Sequence, residues 1–439
     1  YKNEKIIIKC GGSVLLDPNL FNLFIQDIVV MKKLELTPII VHGGGPRIKR
    51  KLNELNIKAP EFGTARSVNE SLKLANKIGY PVLIRPSYVL GGRGMEIVYD
   101  NESLERYMQT AVQVSNDSPV LLDSFLDHAI EVDIDVVCDG KDIVIGGIME
   151  HIEQAGIHSG DSACSLPPYS LSNGVLDEMR RQVKLMAKEL KVVGLMNAQL
   201  AYQDDEIYVI EVNPRASRTI PFVSKATGIS LASIAVRAMT GISLKEQGFI
   251  KEVIPKHYSV KESVFPFNKF LGVDPYLGPE MRSTGEVMGI GHDFPSACDK
   301  AFLAAGEIIP TSGKVFVSLR TLDRERLVEL GERLNNQGFE IVATRTNQEI
   351  LQNAGLECTM VNKVSEGSPH IVDLVKNDEI SLIISSTEDT QGLEDAAVIR
   401  CQALAHKVPC MTTVAAAFAT LDGLKTHDKM IVRSLQSLH

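Results

Sequence analysis

No two cysteines in this chain are spaced as CxxC, and none pairs with a histidine at a metal-ligand interval. Cys10, Cys138, Cys164, Cys298, Cys358, Cys401 and Cys410 are scattered singly. That pattern excludes a disulfide framework and a cysteine-based zinc module, and it reads as reduced thiols in a cytoplasmic protein. No apolar run reaches the ~18 residues a membrane span requires, and no basic start leads into an apolar signal core. Basic residues are not in excess either: 46 Lys and Arg stand against 55 Asp and Glu, a net charge of −9, which argues against a nucleic-acid partner. An anionic substrate would therefore need a locally basic site. Low-complexity tracts and internal repeats are also missing. What remains is 439 residues with 44% apolar and 23% charged content, enough for about three globular domains. The first residue is Tyr1 rather than Met, so this start is expected not to be the natural one.

The opening alternates short β-branched runs with glycines. Ile6 to Lys9 reads as a strand, Asn19 to Leu34 as an amphipathic helix, and Pro38 to Val41 as a second strand running into Gly43, Gly44 and Gly45 before another helix. This is a βαβα start with too few strands for a sheet of its own. From Ala59 the texture is α+β. A helix is expected over Val68 to Ile78, strands over Val82 to Arg85 and Met95 to Tyr99, and a helix over Ser103 to Val114. Strands follow at Val120 to Phe125, Ala129 to Cys138 and Ile143 to Glu150, then a helix over Asp177 to Leu190. A hairpin joins Ala198 to Tyr202 with Glu206 to Val212 around Asp204 and Asp205. The stretch from Leu231 to about Gly306 reads as helical connections. After Pro310 a fresh β/α alternation marks a last α/β domain. The division expected is 1–49, 50–230, 231–308 and 309–439.

The strongest constellation is IYVIEVNPRASRT, residues 207–219. Glu211 and Asn213 are two apart on a strand and leave the same face, and Gln199 sits about opposite Glu211 on the partner strand. Three oxygen-bearing side chains then converge, the hard environment that Mg²⁺ prefers when it also binds phosphates. Arg215 and Arg218 follow at helical i, i+3 spacing, which suits neutralising a moving phosphoryl group. A surface hairpin with a polar edge is the competing reading. RPSYVLGGRG supplies a second basic, glycine-rich turn: Gly91 and Gly92 would let backbone amides approach phosphate oxygens while Arg85 and Arg93 add charge. A flexible hairpin loop explains that string equally well. EHIEQAGIHSGDS gathers Glu150, Glu153, Asp161, His151 and His158 among glycines, and histidines there read as structural by default.

Taken together, RPSYVLGG, MEHIEQAGIHSGDS, IEVNPR, SKATG and PFNKF, in this order, resemble the carbamoyl phosphate synthetase large-subunit family in its second, carbamate-phosphorylating half. The resemblance implies an ATP-grasp core with ATP and Mg²⁺ as cofactors, Mn²⁺ substituting. It implies nucleotide contacts at Arg85, Ser124, Leu126 and Glu131, with Gly156, Ile157, His158 and Ser159 as a closing loop. Gln199, Glu211 and Asn213 would hold the metal, Gln199 and Glu211 also facing the nucleotide phosphates, and Arg215 and Arg218 would face the carbamate and the transferred phosphoryl. Glu153, Asp161 and Glu262 would help bind the activator ornithine. The final domain resembles the methylglyoxal-synthase-like effector domain of the same family, with Thr344, Lys363 and Thr387 at phosphate-binding positions. There the family's Gly-Thr is replaced by Thr346 and Asn347, and an arginine pair by Thr390 and Gln391, so nucleotide binding is expected to be weak. In the family the partners are a glutamine-hydrolysing small subunit and a first ATP-grasp half, and the product feeds arginine and pyrimidine biosynthesis.

IIIKCGGS and PIIVHGGGP instead resemble the opening turns of amino-acid kinases such as acetylglutamate kinase, where Lys9, Gly11, Gly12, Gly44 and Gly45 would touch phosphates. The chain therefore reads as a hybrid with its seam within Arg47 to Leu55. An inactive ligand-binding remnant and an acetylglutamate kinase fragment stand as the alternatives.

Overall fold

The structure, a computed structural model, describes residues 4–10, 18–42, 45–86, 94–115, 119–270, 272–386, 390–427 and 430–438. The chain forms two compact units, residues 1–59 and residues 60–439. In the first, strands Lys5–Cys10 and Thr37–His42 pair in parallel with Ile7 opposite Ile39. Helix Pro18–Lys33 makes the crossover between them, and helix Gly45–Glu54 follows. Two strands and one crossover cannot cover each other's apolar faces: Leu23, Val30 and Ile7 are 58%, 55% and 72% exposed. Gly11, Gly12, Gly43 and Gly44, where the phosphate-cradling turns are expected, lie outside the described residues.

Among the described residues the second unit holds three sheets. Strands Phe62–Ala65, Val120–Ser124, Val82–Pro86 and Glu96–Val98 form an antiparallel sheet in that order. It is covered by helices Val68–Ile78 and Asn101–Ser115. Ser67 starts the first of these helices from an extended conformation, its hydroxyl accepting from Glu70 N at 3.2 Å, while the Glu70 carboxylate accepts from Arg66 N at 2.8 Å. The apolar faces of both helices close on Val82, Ile84, Val98 and Leu122. The glycine-rich turn expected to carry Gly91, Gly92 and Arg93 falls in residues 87–93, outside the described residues.

A seven-stranded antiparallel sheet is the centre of the unit. Its order is Glu206–Asn213, Val193–Gln203, Ile130–Asp139, Ile143–Gln154, Cys164–Leu166, Tyr258–Val264, Gly285–Gly291. The last two strands correct the expectation that residues 231–308 are helical connections. Helices Leu231–Met239 and Phe294–Ala305 are present there, but Tyr258–Val264 and Gly285–Gly291 extend the sheet. Sequence patterning hid the first of them because Ser259 to Ser263 are all buried: with both faces covered, the alternation that marks a half-exposed strand disappears. Lys261 is tolerated inside because its Nζ donates to the carbonyls of Ser162 at 2.6 Å and Ser159 at 3.2 Å. Gly289 and Gly291 are the mark of a close approach rather than a turn. A Cβ on Gly289 would stand 2.1 Å from the Ala297 carbonyl on the covering helix.

The final α/β domain is a five-stranded parallel sheet in the order Thr359–Met360, Phe339–Ala343, Gly313–Ser318, Leu382–Ser385, Cys410–Met411. One apolar cluster runs from Ile152, Val260 and Phe302 under the central sheet to Val315, Leu330 and Phe418 in this domain. A buried ion cluster reinforces the junction: the Arg320 guanidinium donates to both Asp127 carboxylate oxygens, at 3.1 and 3.2 Å, and to Asp323 at 3.0 Å. Among the described residues no helix is long and apolar enough to cross a membrane.

Candidate active site

The hairpin at the edge of the central sheet has the register expected of it. Gln199 pairs with Glu211 and Asn197 with Asn213. Asp204 and Asp205 both adopt left-handed conformations, φ 50° and 61°, as a two-residue turn matched to strand twist requires. Asn213 Nδ2 donates to Glu211 Oε1 at 2.6 Å, which leaves Asn213 Oδ1 available to a cation. Gln199 Nε2 donates to Ser159 Oγ at 3.1 Å, tying the loop that carries His158 to the hairpin. Gln199, Glu211 and Asn213 are each half-buried and offer oxygen donors of the kind Mg²⁺ takes. Among the described residues no group of three or more His, Cys, Asp or Glu side chains could hold a metal. A metal here would rest on one carboxylate and two amides, with phosphate oxygens or water completing its shell.

Arg215 and Arg218 do not continue into a helix turn, contrary to the spacing argument. Residues 214–219 are irregular, and the next helix, Ile220–Thr227, begins beyond them. Pro214 and the buried tie of Thr219 break the i, i+3 geometry, so both arginines stand exposed on a loop. Arg215 Nη1 donates to the Ala216 carbonyl at 3.1 Å, and Arg218 Nη1 contacts Met281 Sδ. Burial holds the His158 imidazole below its ordinary value; Arg218 adds to that while Asp161 and Glu211 oppose it. The loop, the metal candidates and Arg218 therefore share one electrostatic field.

The nucleotide candidates fall into two groups. Leu126 packs with Ala129, Ala155 and Ala201, and Glu131 Oε1 accepts from Gly156 N at 3.3 Å. Gly156 has φ +100°, and a Cβ there would lie 2.7 Å from the Phe125 ring, so only glycine fits. Ile157 and Gly156 border a cavity of about 60 Å³ with Tyr99, Phe125 and Asp127. Arg85 and Ser124 lie in the four-stranded sheet. Arg85 Nε is 2.6 Å from Asp123 Oδ2, and Ser124 N donates to the Glu61 carbonyl at 2.7 Å.

Beneath these residues runs a buried polar chain that motif reading missed. Glu131, Asp133 and Asp135 alternate on one face of Ile130–Asp139, and the run EVDID in an otherwise apolar strand was the available signal. His151 Nε2 lies 2.9 Å from Asp133 and its Nδ1 3.4 Å from Glu131. Burial works against charge on His151, but Cys164, Asp133 and Glu131 raise it well above its ordinary value. Asn197 Nδ2 bridges Asp133 at 3.2 Å and Asp135 at 3.0 Å. Burial pushes Asp135 up to about 6.

Among the expected activator ligands, Glu262 is buried and Glu153 Oε2 accepts from Ala163 N at 2.7 Å. Burial pushes Glu153 up to about 7, and burial together with the Glu153 charge holds Glu262 well above its usual range. Asp161 is engaged otherwise, accepting from Arg282 N at 2.7 Å and Ser283 N at 2.9 Å. In the last domain Thr344 and Lys363 border one cavity of about 180 Å³ with Arg320, Arg324 and Asn347. Asn347 is a buried brace, bonded to Leu319 N and Thr344 Oγ1, both at 3.1 Å. Thr387 lies outside the described residues.

Comparison with known proteins covers most of the chain. Residues 46–247 match the family described as carbamoyl-phosphate synthase L chain, ATP binding domain, and residues 326–412 match the MGS-like domain. The carbamoyl phosphate synthase large chain of Pseudomonas syringae is 59% identical over 393 residues, 90% of this chain and 37% of that protein. Its counterpart from Neisseria meningitidis serogroup A is 52% identical over 435 residues, 99% of this chain and 40% of that protein. The second match thus takes in the opening segment too. The chain spans under half the length of the curated relatives it matches. Among solved structures, a biotin carboxylase complex from Campylobacter jejuni gives a TM-score of 0.48 at 16% identity, covering 67% of this chain and 74% of that one.

Proposed function

With a carbamoyl-phosphate synthase ATP-binding domain and an MGS-like domain in one chain, we propose that it phosphorylates carbamate with MgATP, giving carbamoyl phosphate and MgADP, or runs that reaction in reverse. The observation that carries this reading is the contiguous line from Glu131 and Gly156 through Ser159, Gln199 and Glu211 to Asn213, with Arg215 and Arg218 at its exit. In the forward direction a carbamate oxygen attacks the γ-phosphorus, a new O–P bond forms, and the bond to the β,γ-bridging oxygen breaks with its electrons leaving on ADP. Bound Mg²⁺ would supply neutralisation of phosphate charge. Gln199, Glu211 and Asn213 hold it; Arg215 and Arg218 offset charge on the moving phosphoryl group; the loop of Gly156, Ile157, His158 and Ser159 covers the nucleotide and excludes water.

In this reading Arg85, Ser124, Leu126 and Glu131 contact the nucleotide. Glu153, Glu262 and Asp161 take a cationic amino acid as activator, and Thr344, Lys363 and Thr387 form a weakened phosphate site. The whole enzyme would add a glutamine-hydrolysing small subunit and a further ATP-dependent half, in the cytoplasm. The opening segment is read as an amino-acid-kinase-like piece without activity of its own, a reading that competes with the Neisseria match spanning 99% of the chain. The alternative reading is an inactive ligand-binding remnant. ATP formation from MgADP and carbamoyl phosphate separates the two: turnover supports the enzyme, and its absence in a folded chain that still binds MgADP supports the remnant.

A further inference from the structure

Asp135 is fully buried, and its carboxylate is held by groups that belong to the arginine loop. Ser217 Oγ donates to Oδ1 at 2.8 Å and Thr219 Oγ1 to Oδ2 at 2.7 Å, with Asn197 Nδ2 at 3.0 Å from Oδ1. The two hydroxyls are 2.7 Å from each other and bracket Arg218 in sequence.

The same tie shows at the helix start. Thr219 is the residue preceding helix Ile220–Thr227, where a threonine ordinarily turns its hydroxyl to the helix's own free N–H groups, yet it makes no such bond. Its hydroxyl goes to Asp135 instead.

A second observation is the contrast with Asp133, two residues back on the same strand. That carboxylate is compensated by His151, whereas the groups bonded to Asp135 are two hydroxyls and an amide. Burying a carboxylate against neutral donors is costly, and a neutral residue could have packed the same space.

We infer that Asp135 is a positioning residue for phosphoryl transfer: its buried carboxylate clamps Ser217 and Thr219 and so fixes the stance of the Arg215–Arg218 loop. The role rests on the phosphoryl-transfer reading above, but the clamp itself does not. The loop joins a strand end to a helix start, has no regular structure, and exposes both arginines. Without ties it would sample many arrangements, most of which leave the guanidinium groups away from the phosphoryl group.

Asp135→Asn keeps the size and leaves one acceptor oxygen where there were two. Ser217→Ala combined with Thr219→Val removes the donors and leaves the carboxylate. In ATP formation from MgADP and carbamoyl phosphate, both variants should raise KM for carbamoyl phosphate about tenfold and lower kcat, with KM for MgADP within about twofold, a tenfold change corresponding to one misplaced charge-assisted contact. Limited trypsin cleavage of the full chain after Arg215 and Arg218 should accelerate several-fold in both, with the rest of the digestion pattern unchanged. Equal rises in both KM values, or a lower melting temperature with unaltered kinetics and cleavage, would overturn the assignment. Should the wild-type chain form no ATP, the phosphoryl-transfer reading fails by itself, and the cleavage rates alone still decide whether Asp135 holds the loop.

Discussion

Two sets of acids project from the same seven-stranded sheet and are kept in opposite ways. Glu211, at the hairpin edge, is half-buried, faces Gln199 across the ladder and touches Asn213. Glu262, on the strand Tyr258–Val264, is 6% exposed, and among the described residues its Oε2 has no hydrogen-bond partner. Burial raises Glu153 as well, and after burial the Glu153 charge is what raises Glu262. The open acid stands among oxygens with room for an incoming cation. The enclosed acids are held at a cost, and a buried carboxylate that resists ionisation is stabilised when a basic group arrives to share its proton. The first environment suits a metal that comes with its phosphates; the second suits an organic ammonium.

The largest effect expected from this contrast is at the open acid. Glu211→Gln keeps the size and the bond to Asn213 but removes the charge that would hold Mg²⁺. Metal stabilisation of phosphoryl transfer is worth several kcal/mol, so ATP formation from MgADP and carbamoyl phosphate should fall at least about a hundredfold. The melting temperature without ligand should stay or rise slightly, because an edge carboxylate crowded by oxygens adds little to folding, while stabilisation by MgATP should shrink. A variant that keeps more than about a tenth of the rate removes the metal assignment of Gln199, Glu211 and Asn213.

At the enclosed acids the effect is on stability and depends on pH. Glu153 is raised from 4.5 to about 7 by burial. Between those two values the native state keeps a proton that the unfolded chain has lost, so this group's contribution to stability falls as pH rises through that window. Glu153→Gln has no proton to lose. Thermal melts should therefore show the variant level with or below the wild type near pH 4.5 and several degrees above it at pH 8, an expected size of roughly 2–4 °C for a protein of this length. Ornithine should narrow the gap at pH 8 by stabilising the wild type alone. A gap that is constant with pH means that Glu153 is not raised, and the contrast with Glu211 disappears.

How much of this was legible beforehand follows from where the polar residues lie. The hairpin was readable because its strands are partly exposed: alternation survived and Asp204 and Asp205 marked the turn, which put Gln199 within one residue of Glu211; a bulge after Gln199 completes that pairing. Helix Val68–Ile78 was readable to the residue, since Ser67 and Glu70 cap its start and Gly79 ends it. Strands Tyr258–Val264 and Gly285–Gly291 were not readable, because Lys261 is satisfied by carbonyls distant in sequence, Glu262 is buried with one oxygen unsatisfied, and Gly289 and Gly291 are packing contacts rather than turns. The EVDID run was visible as letters, but its meaning depends on His151 and Asn197 from the two flanking strands, and only the sheet order brings those together. Arg215 and Arg218 do lie on one exposed segment. Their helical spacing was misleading, because the tie to Asp135 holds the segment out of a helix.

The smallest effect is expected in the last domain, where the cavity has cations that are already engaged. Arg320 is held by Asp127 and Asp323, and Arg324 Nε donates to the Leu319 carbonyl at 3.2 Å. Asn347 fills a position that a phosphate-cradling turn would leave to backbone, bonding Leu319 and Thr344 to each other through its side chain. Among the described residues bordering the cavity, Lys363 is the exposed cation best placed to meet a phosphate, and a single solvated ammonium binds a dianion weakly compared with an arginine fork. Calorimetry with uridine or inosine monophosphate should accordingly show no affinity tighter than about 100 μM. Lys363→Gln should abolish the residual heat while changing the rate of ATP formation less than about twofold. Tight nucleotide binding that survives Lys363→Gln would mean that Arg320 exchanges Asp127 for the phosphate, and the junction between the two domains would then be a moving part rather than a fixed clamp.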